Sequence, residues 1–137
     1  MKIQFEILGK PMGKQRPRLG KFGTYTPDKT INYENLVKLT FMNKYKNFTP
    51  IEKPIKATIK AYFTIPQSYT QKKKRELLMQ TSYTHKPDSD NIAKIVLDSL
   101  NTIAYKDDSQ ISKLIVSKEY AVQDKVIVEI EELEANT

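Results

Sequence analysis

The sequence predicts an α+β fold: a small mixed β-sheet with helices packed on one face. Three observations lead there. Apolar and polar residues alternate in period two near the start, the middle and the end of the chain. Helical spacing of apolar residues fills the gaps between those strands. The resulting order is β, basic loop, α, β, short α, α, β, β. The 137 residues suit one domain, 1–137, with a single core.

The elements follow in order. Ile3, Phe5 and Ile7 alternate with Lys2, Gln4 and Glu6, which predicts a strand. Residues 9–27, GKPMGKQRPRLGKFGTYTP, are rich in Gly, Pro, Lys and Arg and predict a loop, with a short strand near Phe22–Thr26. Residues 31–48 place Tyr33, Leu36, Val37, Thr40, Phe41 and Tyr45 at helical spacing, and Pro50 and Pro54 stop that helix. The stretch 55–65, IKATIKAYFTI, is the clearest strand, with Ile55, Ala57, Ile59, Ala61, Phe63 and Ile65 on one face. Ser68 or Thr70 can cap a short helix over 71–80. A helix over 90–103, capped by Asp90, is expected next. Ile111–Tyr120 reads as a strand of weaker alternation, and Val126, Val128 and Ile130 mark the last strand. The tail, ELEANT, is expected to fray.

Composition narrows the function classes. The chain has no cysteine, which excludes disulfides, thiolate zinc sites and cysteine nucleophiles. No apolar run approaches the roughly 20 residues needed to cross a bilayer. The N-terminus lacks the apolar stretch of a signal peptide. A cytoplasmic location with no membrane partner is the expectation. The formal charge of +7 suggests a polyanionic partner, most simply nucleic acid.

Against that basic background, residues 85–111, HKPDSDNIAKIVLDSLNTIAYKDDSQI, gather Asp88, Asp90, Asp98, Asp107 and Asp108. Each has an ordinary explanation. Asp90 can cap a helix, Asp98 can pair with Lys94 at the surface for a few tenths of a kcal/mol, and Asp107–Asp108 can form a turn. On a helix over 90–103, Ile92, Ile95, Val96, Leu100 and Ile103 make one apolar stripe. Asp90, Lys94, Asp98 and Asn101 lie opposite, away from the core. The constellation carries more than its members. D-x-D places two carboxylates on one side of an extended chain. Joining them to Asp107–Asp108 requires the chain to fold back or the following strand to run beside them.

Carboxylates without thiols suit a hard cation, Mg²⁺ or Mn²⁺. An acidic cluster would repel DNA unless metal bridges the two. A basic surface around an acidic metal site is therefore what a metal-dependent nuclease needs. Lys94 is the candidate for steadying developing charge. The same D-x-D and DD pattern would also serve a nucleotidyl- or glycosyltransferase. No glycine-rich phosphate loop is present. His85 has no partner ligand and is read as a bystander. The basic loop offers Lys10, Lys14, Arg16, Arg18 and Lys21 for DNA contact, with no acid among them. The run at 72–75 adds Lys72 and Lys73, although such a run is more often a solvated helix face.

The motifs K-P-D-S-D-N at 86–91, Lys94, L-D-S-L-N at 97–101 and D-D-S-Q-I at 107–111 resemble the RusA family of Holliday-junction resolvases, often encoded by prophages. The N-terminal G-K-P, K-Q-R-P-R and T-Y-T-P, the helix with Glu34, and IPQSYTQKKK also fit one branch of that family. The resemblance covers almost the whole chain, in order. It implies a dimeric α+β domain that resolves four-way DNA junctions in recombination and repair by paired, Mg²⁺-dependent nicks, with Mn²⁺ as a substitute. By position it makes Asp88, Asp90 and Asp108 the metal ligands and catalytic carboxylates, and Lys94 the essential lysine. Asp107 and Asp98 receive supporting or structural roles. Two readings stand beside it: a metal-dependent nuclease for another branched DNA or RNA, and a non-catalytic nucleic-acid-binding module. A pure binder gains nothing from acid beside phosphate.

Overall fold

A computed structural model describes residues 1–134. Its elements are β1 (Lys2–Leu8), β2 (Arg18–Gly20), β3 (Gly23–Tyr25), α1 (Asp28–Lys44), β4 (Ile55–Phe63), α2 (Gln71–Gln80), α3 (Ser89–Leu100), β5 (Ile111–Tyr120) and β6 (Lys125–Glu132). A single 3-10 turn, Asp108–Gln110, precedes β5. The main sheet runs β1-β6-β4-β5. β6 is antiparallel to both β1 and β4, while β4 and β5 are parallel. The α+β class with a mixed sheet is as the sequence predicts.

Register explains the core. Phe5 faces Val128, Val128 faces Ile59, and Ile59 faces Val116, so one apolar row crosses all four strands. Equivalent rows pass through Ile3, Ile130 and Ala57, and through Ile7, Val126 and Ala61. One register slip would turn each row to solvent. Against this face pack Tyr33, Val37 and Phe41 of α1, and Ile92, Ile95, Val96 and Leu100 of α3, all in one buried cluster. The opposite face carries Lys2, Lys56, Lys60 and Glu129, joined by ion pairs such as Lys60–Glu129.

Several boundaries differ from the sequence expectation. α1 starts at Asp28, because Pro27 takes the capping position with an extended ψ of 143° and its carbonyl receives Thr30 and Ile31 N–H. The helix stops at Lys44, not residue 48. Tyr45 turns away to pack on Phe41 and Phe48, and its hydroxyl bonds the Gln4 backbone. Leu36, expected on the buried stripe, is exposed. Ile65 lies past the end of β4, which stops at Phe63. The short strand near Phe22 is one arm of a hairpin, β2–β3, turning at Lys21–Phe22 with Gly23 at φ 114°. Thr70 caps α2 by accepting from Lys73 N–H, and that helix buries no residue. α3 is shifted: its cap is Asp88, not Asp90, and it ends at Leu100, so Ile103 falls in the turn beyond. Of the tail expected to fray, Glu132 belongs to β6 and Leu133 N–H donates to Pro54. Residues 135–137 lie outside the described residues. Among the described residues, no helix is long and apolar enough to cross a membrane.

Candidate active site

The acidic segment is laid out along α3. Asp88 enters it with φ −69° and ψ 149°, extended, and its carbonyl receives Asn91 and Ile92 N–H. Its carboxylate makes no capping bond. Asp90 already sits in the first helical turn. The alternation that would set Asp88 and Asp90 on one side of an extended chain therefore ends at Ser89. Asp90, Lys94 and Asp98 are exposed on the helix, while Ile92, Ile95, Val96 and Leu100 are buried. Among the described residues, Lys94 makes no ion pair. Asp98 is held instead by Lys14.

That contact reveals how the basic loop is mounted. Pro11 is buried and Met12 packs on the core. Lys14 N–H donates to the Asn91 carbonyl at 2.9 Å. Its ammonium reaches Glu34 at 2.9 Å and Asp98 at 3.3 Å. Burial acts to lower the Lys14 pKa, but the hydrogen bonds and charges of Glu34 and Asp98 outweigh it and hold the group above its ordinary value. One residue earlier, a Cβ on Gly13 would lie 2.9 Å from Pro87 Cβ and 3.1 Å from Asn91 Cβ. Only a glycine lets the loop lie this close to α3. From the other side, the Lys118 ammonium donates to the His85 and Pro87 carbonyls at 2.8 and 3.0 Å.

The result is an open groove of about 730 Å³, lined by Lys10, Lys14, Lys29 and Lys86 together with Asp88 and Asn91. Lys29 was not expected here. Its place depends on α1 beginning at Asp28, which the spacing of apolar residues does not show. Beyond Lys14 the loop leaves the body. Arg16, Arg18 and Lys21 are exposed on or beside the β2–β3 hairpin, whose tip carries Phe22, 97% exposed. Lys72 and Lys73 are exposed on α2.

The second acidic pair stands at the far end of α3, a helix of 12 residues and hence roughly 18 Å long. Asp107 accepts from Ser109 N–H at 3.0 Å, and Gln110 returns the bond to Asp107 N–H. The bond to Ser109 holds the Asp107 carboxyl below its ordinary value. The Gln110 amide also donates to the Ile51 and Lys53 carbonyls, which pins the turn to the strand layer. Asp108 is exposed. Nearby, burial pushes the Tyr105 hydroxyl up, and Asp108, Asp98 and Asp107 add their charges. Tyr105 donates to the Leu97 carbonyl.

The strand after Asp108 does run back beside α3, but its start, not its end, carries the aspartates. The chain thus sets Asp88 and Asp90 at one end of α3 and Asp107 and Asp108 beyond the other. Among the described residues, no three His, Cys, Asp or Glu side chains are close enough to hold a metal ion. The donors fit a hard divalent cation in chemistry, being carboxylates throughout. They are not preassembled into a cage.

A sheet covered on one face by helices, with one acid, Asp88, in a lysine-lined groove, is the arrangement of a protein suited to polyanionic substrates. The comparisons are more specific. The family model described as "Endodeoxyribonuclease RusA" matches residues 9–131, and the chain belongs to that family. It is also 35% identical over 140 residues to "Uncharacterized protein YqaN" of Bacillus subtilis (strain 168), covering 97% of this chain and 98% of that protein.

Proposed function

We propose that this protein is a Mg²⁺-dependent, structure-selective endonuclease that resolves four-way DNA junctions by paired symmetric nicks. One observation carries the reading beyond family membership. Asp88 holds a helix cap without using its carboxylate there, and the residue lines a groove of lysines. A phosphodiester can enter such a groove, and an acid beside it is useful only with a cation. Asp88 and Asp90, at one end of α3, would hold the ion, with Mn²⁺ as a substitute; Asp108, beyond the other end of the helix, would join them only from the second subunit of a dimer. When bound, the ion polarises the phosphate and activates water. Lys94, exposed between Asp90 and Asp98, steadies charge developing on the phosphate. Lys10 and Lys86 place the strand, and Arg16, Arg18 and Lys21 extend the contact along the backbone.

Two opposed nicks require two sites, and a two-fold homodimer matches the junction's symmetry. Two surfaces support such pairing. α1 exposes Ile31, Leu36, Leu39 and Met42, and the open edge of β5 exposes Leu114 and Ile115. The test is one gel. Labelled four-way junctions, duplex, flap DNA and RNA hairpins are incubated with Mg²⁺ or with chelator. Paired cuts confined to the junction and dependent on metal are expected. Cutting of flap or RNA but not junction would move the substrate, and no cutting of any would leave a binding module. Light scattering should report twice the chain mass; a monomer with and without junction DNA would sink the paired-nick mechanism.

A further inference from the structure

A second cleft, of about 270 Å³, adjoins the lysine-lined groove. Lys10 lines both, so the two share a wall. The second cleft is aromatic. Phe63, at the end of β4, stacks flat on Tyr83, with centroids 3.7 Å apart and planes within 4°. Tyr120 and His85 meet Tyr83 edge-on at 5.1 and 5.5 Å. Tyr69, 36% exposed, lines the same space. Its carboxylate, Asp124, is already occupied by the Thr64 N–H and hydroxyl.

This wall is wired to the peptide that leads into Asp88. The Tyr83 hydroxyl donates to the Lys86 carbonyl at 3.0 Å, and Lys118 clasps the carbonyls of His85 and Pro87. Phe63 and Tyr120 are buried behind this space, so Tyr69 and half-buried Tyr83 offer its aromatic surface; with Lys10 at the boundary toward the lysine-lined groove, that suits a flat ring attached to an anion. A single nucleobase on its phosphate has that chemistry, and stacking on aromatic side chains is indifferent to which base it is.

We propose that the cleft takes one unpaired nucleobase, with its neighbouring phosphate against Lys10 on the path to Asp88. The inference rests on the nuclease reading only for the source of that base: a branch point supplies unpaired bases where duplex does not. It would make the enzyme sense local unpairing beside the phosphate it cuts.

The test uses short labelled single strands without metal, read by fluorescence anisotropy. One strand carries thymine at every position; the other is the same backbone without bases. Wild type should prefer the base-bearing strand by roughly tenfold. Tyr69→Ala should lose most of that preference, and Tyr69→Phe should keep it. Phe22→Ala, at the hairpin tip, should also keep it. Equal affinity of wild type for both strands overturns the proposal, as does a preference that disappears with Phe22→Ala instead. Junction cleavage is scored separately. A wild type that shows the preference but cuts no branched DNA sinks the nuclease reading alone; one that cuts junctions without the preference sinks the cleft alone.

Discussion

At the N-terminal end of α3, Asp88 occupies a capping position while its carboxylate caps nothing. Beyond the C-terminal end, Asp107 also occupies a capping position, and its carboxylate is bound to Ser109 N–H in a reciprocal box with Gln110. The difference lies in who holds the backbone. Around Asp88, other residues do so: Gly13 and Lys14 of the basic loop on one side, and the Lys118 ammonium on the other. Around Asp107, the aspartate itself does. A carboxylate that organises its own turn is committed to the fold. One whose backbone is fixed by neighbours is left for a ligand. Asp108 gains from both arrangements, since its neighbour supplies the cap and it remains exposed.

The largest effects should come from the carboxylates assigned to chemistry. Asp88→Asn, Asp90→Asn and Asp108→Asn should each lower junction cleavage about 100-fold or more, while DNA affinity holds or rises because repulsion from phosphate is removed. Cleavage gels and anisotropy together check this. Normal turnover in Asp108→Asn would mean that the two ends of α3 do not cooperate. Lys94→Ala should lose most activity and keep its fold, since the side chain is exposed.

Next comes the clamp that frees Asp88. Gly13→Ala forces the loop away from Pro87 and Asn91, at a cost of about 1–3 kcal/mol by analogy with overpacking. Cleavage should fall with it, although no catalytic group has changed. Denaturant melts beside activity measurements test that coupling, and a stable, fully active variant would show that the loop's closeness to α3 is incidental.

Lys14→Ala should cost about 1–2 kcal/mol, because a partly shielded ammonium leaves two carboxylates unpaired. The sign with pH is defined. The folded-state pKa of Lys14 is raised, so its stabilisation is complete below the ordinary value of 10.5 and disappears as pH rises through the folded value. The gap between wild type and Lys14→Ala in melts should therefore narrow above pH 10.5 and be constant near neutrality.

Smaller still are the outlying contacts. Alanine at Arg16 or Arg18 should reduce the slope of log affinity against log salt by about one each. An unchanged slope would remove the hairpin from the DNA path. Asp107→Ala should matter least to cleavage. The Asp107 carboxyl is lowered in the folded state, so its contribution is present above the ordinary value of 3.8 and fades as pH falls through the folded value. Replacing it should lower thermal stability above that range and leave it unchanged in stronger acid, so the acid limb of the profile flattens.

Much of the fold is legible because it rests on period-two patterns whose register has one sensible answer. β4 shows this best: five alternate residues from Ile55 to Phe63 are buried. Helix boundaries were less legible. The start of α3 moved because a D-x-D pair offers two competing caps, and the backbone chose the first. α1 ended early because Tyr45 found a partner 41 residues away, on Gln4. No local pattern announces such a contact. The exposure of Asp90, Lys94 and Asp98 was readable from the helical wheel. The Lys14–Asp98 pair was not, since Lys94 stood at the better sequence spacing. Lys29 and Lys86 entered the groove only through the tertiary meeting of α1, the loop and α3. The sequence also left open whether Asp108 would join Asp88, and the path of β5 sets the two pairs at opposite ends.

One feature of the sheet governs how the molecule comes into being. β6, the last strand, lies between β1 and β4. The first strand therefore has no partner until β6 has left the ribosome, and β4 waits for β5 and β6 alike. Pairing of this kind closes long loops before it is rewarded, which slows folding. The half-made chain holds its apolar strands unpaired, a state prone to sticking. A premature stop before β6 would not trim an edge; it would remove the strand that joins the sheet's two halves. A chain stopped before β6 would accordingly yield no partly active fragment.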